Sequence, residues 1–360
     1  MYTHEKNIAL NHYLKLKTST TVDSRINSNL DSFTHLIEIF DVDKMAVLQN
    51  EHSNKSNLHR NHQRYLSYLG DSAGFLPLAI LPELILDQLE QLRIGFPNFC
   101  DVLDYYQEQF ALSRLSERHE FLANPLLISG PPGIGKTAFC HALAKLVHTH
   151  FELISLSGMT AGFVIGGMSS NWADGKPGRI VEALARGRIA NPIIVIDELD
   201  KASGDNRYDP LGPLHQLLEK ETSANFVDEG LEISVDCSHI VWIATANELS
   251  LIAEPILSRF TIIEADRPTQ NQMKNVLQSI YAKLRINHKW GSFFSENLSS
   301  DLINRVIDSG LEPRMVQKEL VAACGRSALR NNAQNGMHDV LADDFLPRKI
   351  SGSEIHIGFI

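Results

Sequence analysis

Apolar residues in the middle of the chain fall into short, uninterrupted runs with helical stretches between them. Five runs have this character, at residues 125–129, 151–156, 192–196, 239–244 and 260–264. Between the first two, apolar residues recur at helical spacing, at positions 139, 142, 143, 146 and 147. Apolar strands that alternate with helices are typical of a parallel sheet covered on both faces. The pattern predicts an α/β fold with a parallel five-stranded sheet between helices.

After residue 267 the strands stop and only helical patterns follow. Thr269 to Gln272 have the spacing of a capping box before an apolar helical face, and Pro313 opens a later helix. Before residue 70, no helical or strand period persists. The expected organisation has four parts: a polar, partly ordered N-terminal extension at 1–75, an α/β domain at 76–267, a small all-α lid domain at 268–345 and a C-terminal tail at 346–360.

A glycine-rich segment between the first strand and the next helix matches the phosphate-loop pattern GxxxxGK[ST] in full. It consists of Gly130, Pro131, Pro132, Gly133, Ile134, Gly135, Lys136 and Thr137. Glycines let the backbone approach closely, so that its N–H groups and the helix N-terminus can cradle phosphate oxygens. Lys136 would reach the β and γ phosphates, and the Thr137 hydroxyl would ligate Mg²⁺. The segment predicts a site for ATP and Mg²⁺.

Polar residues close two later strands. Asp197 and Glu198 follow an apolar run, and burying carboxylates without partners is costly. Asp197 is predicted to hold Mg²⁺, partly through water, and Glu198 to orient and deprotonate the attacking water. Asn247 is either a turn former or a group that positions this water. On the residues alone, Arg259 is most simply one half of a surface ion pair.

The order of these elements resembles that of an AAA+ ATPase, and most closely the ATPase module of the Lon-type proteases. The resemblance extends from Phe96 to Leu329. Besides the phosphate loop, it is carried by residues 176–179, 196–201, 209–210, 244–247 and 257–260. It implies an AAA+ P-loop core followed by a helical lid, and hydrolysis of ATP to ADP and phosphate.

The resemblance also implies roles for individual residues. Asn247 falls at the sensor-1 position. Arg259 falls at the arginine finger, which stabilises transition-state charge in a neighbouring subunit's site and so requires a homo-oligomeric ring, most simply a hexamer. Arg314 falls at sensor 2 in the lid, although Gly310 to Arg314 is two residues longer than the family's Gly-x-Arg. Residues 96–99 either contact adenine or belong to the core.

Trp172 occupies the position at which the family has a pore aromatic that grips a polypeptide substrate. No apolar period surrounds Trp172, which argues against a core role. A structural or partner-docking aromatic is the alternative. The chain ends about 30 residues after the last lid helix, so we expect no intrinsic proteolysis.

Composition narrows the class of partner. The net charge of -10 argues against a broad nucleic-acid-binding face. The most apolar stretch, residues 75–86, is shorter than the roughly 20 residues of a membrane span. Four scattered cysteines suit a reducing compartment, so a cytoplasmic location is expected.

The leading hypothesis is a motor that remodels or threads proteins. An ATP-dependent assembly switch that recruits a partner, or a nucleic-acid motor, are the alternatives.

Overall fold

The computed structural model describes residues 36–51, 56–69, 72, 74–116, 119–157, 162–202, 209–330 and 336–347. The first 35 residues of the predicted extension, and the predicted tail from residue 348 onward, lie outside them. The chain divides into two compact units. The first comprises residues 1–92, 100–130 and 136–265, and the second comprises residues 93–99, 131–135 and 266–360.

Five parallel strands form the central sheet of the first unit, which confirms the predicted α/β fold. In chain order, the strands of this unit are β1 (Leu36–Glu38), β2 (Phe75–Pro77), β3 (Leu126–Ser129), β4 (Phe151–Ser155), β5 (Ile193–Asp197), β6 (Phe226–Asp228), β7 (Ile233–Val235), β8 (Val241–Ala246) and β9 (Thr261–Glu264). The sheet order is β4-β5-β8-β3-β9. β1 pairs with β2, and β6 pairs with β7, as separate antiparallel ribbons.

Helices cover this sheet and continue to the C-terminal part of the chain. The α-helices are α1 (Val42–Glu51), α2 (Asn57–Leu69), α3 (Ile85–Gly95), α4 (Cys100–Leu115), α5 (Lys136–Leu146), α6 (Phe163–Gly166), α7 (Arg179–Gly187), α8 (Gly212–Leu217), α9 (Lys220–Ser223), α10 (Glu254–Leu257), α11 (Gln270–Asn287), α12 (Ser300–Asp308) and α13 (Pro313–Arg330). Short 3₁₀ turns lie at Pro97–Phe99, Leu199–Lys201, Leu249–Leu251, Gly291–Phe293 and Ala342–Asp344. Among the described residues, no helix combines the length and apolar character that crossing a bilayer requires.

The core of the first unit extends into the segment that precedes residue 75. Phe40, Met45 and Tyr65 are buried in the same apolar cluster as the sheet. The expectation that no helical period persists before residue 70 is wrong, because α2 buries one face at positions 58, 62, 65 and 69. The prediction failed because one of the four buried positions is His62, and a search for apolar periodicity does not count histidine as apolar.

The second unit has a separate helical core. It is built from α11, α12 and α13, with Leu277, Leu302 and Leu320 fully buried. The predicted capping box at the start of α11 is confirmed, since Thr269 and Gln272 each bond the other's backbone N–H. These bonds satisfy N–H groups that the first turn of a helix otherwise leaves without partners.

Candidate nucleotide-binding site

The candidate site of the first unit lies at the carboxyl edge of the sheet. β3 ends at Ser129, which is in register with Ala246 at the end of β8. β5 lies beside β8, with Ile196 opposite Ala244. Because neighbouring parallel strands end at one edge, the residues that follow them converge there. The structure thereby brings together Lys136, Thr137, Asp197 and Asn247.

Lys136 connects the phosphate loop with the end of β8. Its Nζ donates to the Gly130 carbonyl at 2.5 Å and to Asn247 Oδ1 at 2.9 Å. The side chain is only 9% exposed. Burial lowers the pKa of Lys136 from its ordinary value, and the nearby Asp200, Asp197 and Glu198 carboxylates oppose this shift. A cation that has lost part of its hydration here would be stabilised by a bound anion.

Asp197 receives two hydroxyl groups on one carboxylate oxygen. Thr137 Oγ1 donates to Asp197 Oδ1 at 3.2 Å, and Thr245 Oγ1 donates to the same atom at 2.6 Å. A threonine hydroxyl beside a carboxylate is a donor set that Mg²⁺ accepts, because this ion takes oxygen ligands and retains several waters. The residues present therefore fit the predicted metal.

Thr245 is a site residue to which the sequence analysis gave no role. Its hydroxyl also accepts a hydrogen bond from the Glu198 backbone N–H at 3.1 Å. The signal was available in the sequence, because a hydroxyl within an otherwise apolar strand requires hydrogen-bond partners when it is buried. Thr245 thus joins the Asp197 carboxylate and the Glu198 backbone to β8.

Glu198 has a backbone conformation that residues other than glycine seldom adopt. Its φ is 59°, in the left-handed region. Such conformations persist where the surrounding structure holds them, often at functional sites. The carboxylate pairs with Lys201 Nζ at 2.6 Å, and both side chains are partly exposed. Exchanging this contact for a water molecule costs little, since solvent already screens an ion pair of partly exposed side chains.

Arg259 lies just after α10 in the first unit. Its guanidinium forms an ion pair with Glu219 Oε1 at 2.6 Å and donates to the Pro255 carbonyl. The ion pair agrees with the interpretation from the residues alone. The role in a neighbouring subunit stays a prediction.

The phosphate-loop residues of the second unit include two glycines with positive φ, Gly133 at 81° and Gly135 at 109°. A Cβ atom at Gly133 would lie 2.4 Å from Glu312 Oε2, and one at Gly135 would lie 3.9 Å from the Phe99 ring. Glu312 in turn pairs with Arg267 at 2.7 Å. The positive φ at both positions is what favours glycine here, because the Glu312 side chain could move aside and 3.9 Å is an ordinary contact distance.

The other predicted residues of the second unit differ in exposure. Arg314 is exposed in the first turn of α13, and its sensor role stays a prediction. Phe99 is buried and packs edge-to-face against the half-buried Phe96, with 6.0 Å between ring centroids. Phe99 thus serves the core, and contact with adenine stays a prediction.

Trp172 lies on a closed loop of the first unit. Met168 and Lys176 exchange backbone hydrogen bonds at 2.8 and 3.2 Å, which closes the loop at its base. The indole is 65% exposed, in agreement with the expectation that it is not a core residue. Whether it grips a polypeptide stays a prediction.

Comparisons with known proteins identify relatives for the part of the chain that contains this site. Residues 126–267 match the family described as "ATPase family associated with various cellular activities (AAA)". The chain is 34% identical over 210 residues to a Lon protease of Lachnoclostridium phytofermentans, which covers 58% of this chain and 25% of that protein. It is 29% identical over 315 residues to the mitochondrial Lon protease homolog of Drosophila melanogaster, covering 84% of this chain and 30% of the relative.

The matched segment of the chain is an AAA domain, related in sequence to Lon proteases. The predicted AAA+ P-loop fold and the resemblance to Lon-type proteins are thereby confirmed over the part that aligns. The chain spans between a quarter and a third of the length of these two relatives. The activities and partners of the full-length relatives are therefore assigned to this chain only as proposals.

Proposed function

We propose that this chain is an ATPase motor that remodels or threads a protein substrate. The observation that carries the ATPase assignment is the contact network at the carboxyl edge of the sheet. There Lys136 meets Asn247, and Asp197 meets Thr137 and Thr245. In this network different residues are available for the phosphates (Lys136), for the metal (Thr137 and Asp197) and for the attacking water (Asn247), as phosphoryl transfer requires.

Each residue has one task in the proposed reaction. Lys136 and the backbone N–H groups of the phosphate loop bind the phosphates of ATP. Thr137 and Asp197 would hold Mg²⁺, which supplies charge neutralisation at the phosphates. Glu198 takes a proton from the attacking water, and Asn247 orients that water. The αL conformation of Glu198 and the bond of its backbone N–H to Thr245 fix its backbone next to Asp197, the proposed metal ligand.

The proposal includes an oligomer and a substrate. Arg259 acts in a neighbouring chain, Arg314 contacts the γ-phosphate from its own chain, and the working assembly is a homo-oligomeric ring, most simply a hexamer. Trp172 supports a polypeptide substrate, because an indole that is 65% exposed offers a large apolar surface at the tip of a closed loop. A cytoplasmic location belongs to the same proposal.

The first test measures ATP hydrolysis per protomer over a wide range of protein concentration, with Glu198→Gln as the blank. We expect the rate per protomer to rise steeply with concentration, because assembly completes each site with Arg259 of a neighbour. A rate independent of concentration would exclude the arginine finger in trans and favour a monomeric switch. ATP binding without turnover at every concentration would contradict autonomous hydrolysis by this chain.

A further inference from the structure

The loop from Met168 to Lys176, called here the Trp172 loop, contacts a helix that lies more than a hundred residues earlier in the chain. Asn57 begins helix α2, and its Nδ2 lies 3.3, 2.6 and 3.2 Å from the carbonyl oxygens of Ser170, Trp172 and Ala173. Carbonyl oxygens only accept, so the amide nitrogen must face them. One side chain thus contacts three backbone carbonyls within four consecutive residues at the tip of the loop.

Asn57 is not needed to start its own helix. Ser56 caps α2, since its hydroxyl accepts from the His59 backbone N–H at 3.1 Å. The Asn57 Oδ1 accepts from Arg60, which fixes the orientation of the amide. The N–H₂ group of Asn57 is therefore directed at the loop while Ser56 serves the helix.

The next turn of α2 continues this contact at the base of the loop. Asn61 Nδ2 donates to the carbonyls of Gly175 and Gly230 at 3.3 and 3.1 Å. His62 Nε2 lies 2.7 Å from the Leu231 carbonyl, so this nitrogen carries the proton and donates. The two asparagines and the histidine join α2 both to the Trp172 loop and to the β6–β7 turn.

Glycines make this approach of backbone to backbone possible. A Cβ atom at Gly175 would lie 2.5 Å from the Ser169 carbonyl oxygen, and one at Gly230 would lie 2.4 Å from the Lys176 carbonyl oxygen. Real Cβ contacts are never that short, so both positions require glycine. The loop is consequently packed on one side against the β6–β7 turn and tied on another to α2.

From this geometry we propose that Asn57 and Asn61 are positioning residues that hold the Trp172 loop in the conformation that presents the indole. The inference rests on the proposed function, in which Trp172 contacts the substrate polypeptide. It adds that the segment before residue 75 sets the state of this loop. A change that shifts α2 would then release the loop without touching the ATP site.

The test replaces Asn57 by Asp in the full chain. Aspartate has the shape of asparagine but no N–H group, and it places negative charge against three carbonyl oxygens. Near the start of a helix a negative charge is favourable, so α2 itself is not weakened. Gln63→Glu is the matched control, because it is the same amide-to-acid change at an exposed position of the same helix.

Hydrogen exchange of a peptide spanning residues 168–176 is the readout. The backbone N–H groups of Met168, Trp172, Gly175 and Lys176 are hydrogen-bonded within the loop. We expect exchange at these amides to be about 5- to 10-fold faster in Asn57→Asp, from the loss of one or two net hydrogen bonds, and unchanged in Gln63→Glu. Asn57→Ala, which adds no charge, should act in the same direction.

Wild-type exchange of the loop in both Asn57 variants would overturn the positioning role. A second measurement separates this result from a failure of the proposed function. Stimulation of ATP turnover by unfolded casein should fall in Asn57→Asp together with loop protection. If the loop is released while casein stimulation persists at the wild-type level, the positioning role stands and the substrate-gripping role of Trp172 is excluded.

Discussion

At the scale of single residues, Thr245 is informative because one uncharged hydroxyl bonds both the Asp197 carboxylate and the Glu198 backbone. Its side chain is 1% exposed, and its hydroxyl donates to Asp197 while accepting from the backbone N–H of Glu198. Through these two bonds β8 fixes the proposed metal ligand relative to the proposed base. The Asp197 carboxylate and the backbone of Glu198 are thus both held by an uncharged residue of the neighbouring strand.

Replacing Thr245 by Val removes the hydroxyl and keeps the shape of the side chain. Asp197 then loses a donor, and the Glu198 N–H loses an acceptor. Both groups are partly buried, so each lost bond is worth about 1 kcal/mol. We expect ATP turnover to fall about tenfold or more, while Thr245→Ser, which retains the hydroxyl, keeps most of it. The measurement is kcat at saturating ATP, and wild-type turnover in Thr245→Val would refute the role.

At the scale of elements, the sequence predicted the α/β core because its strands are apolar throughout. Every residue of β3 and β8 is buried, which leaves no alternation to confuse the assignment. Helix α2 escaped prediction, since its buried face includes His62, whose partner is the Leu231 carbonyl 169 positions later. A short sequence pattern cannot predict a hydrogen bond to a partner so far along the chain.

Dependence on distant contacts also explains which residues of the site the sequence predicted and which contacts it did not. Lys136 opens α5, Asp197 closes β5 and Asn247 directly follows β8, so motif and strand together identify them. The contact between Arg259 and Glu219 depends on how α8, α9 and α10 are arranged, and no motif encodes that arrangement. Motifs therefore predicted which residues meet at the sheet edge, and they did not predict the ion pairs around it; the chemistry of those residues stays a prediction.

The β6–β7 ribbon carries a buried carboxylate with a consequence for stability. Asp228 is fully buried and accepts backbone N–H bonds from Gly178, Gly230 and Leu231. Burial raises the pKa of Asp228 from 3.8 to about 7, against the opposing effect of these three bonds. Between these two pH values the folded chain keeps a proton that the unfolded chain has released.

Asp228 should therefore make the free energy of unfolding decrease as pH rises from about 4 to about 7, and level off above that range. Asp228→Asn should flatten this part of the profile, because asparagine does not titrate. Exposed Glu229, replaced by Gln, is the adjacent control and should leave the slope unchanged. Urea unfolding at several pH values measures the effect, and identical slopes in wild type and Asp228→Asn would contradict it.

At the scale of the whole molecule, the proposed ring requires Arg259 to serve a second chain. In the single chain its guanidinium pairs with Glu219, whose side chain is half exposed. An ion pair with that much solvent around it contributes about 0–1 kcal/mol. A phosphate in a neighbouring site, carrying more charge, could compete for the arginine at small cost. The pairing within one chain and the role between chains are therefore compatible.

Two inactive variants can separate these roles when they are mixed. Lys136→Ala loses phosphate binding but keeps Arg259, and Arg259→Ala keeps the ATP site but loses the finger. Each alone should show little turnover. In rings assembled at random from equal amounts, about a quarter of the sites pair an intact Lys136 with a neighbour's Arg259. We therefore expect the mixture to recover up to about a quarter of wild-type turnover.

The control for mixing is Lys136→Ala combined with the double variant that lacks both Lys136 and Arg259, because no site in that mixture is complete. Native mass spectrometry of the first mixture must show rings that contain both variants. Mixed rings without recovered turnover would mean that Arg259 acts within its own chain, where Glu219 and the Pro255 carbonyl already hold it. Recovery would instead require that the guanidinium leaves Glu219 when a neighbour's nucleotide is in place.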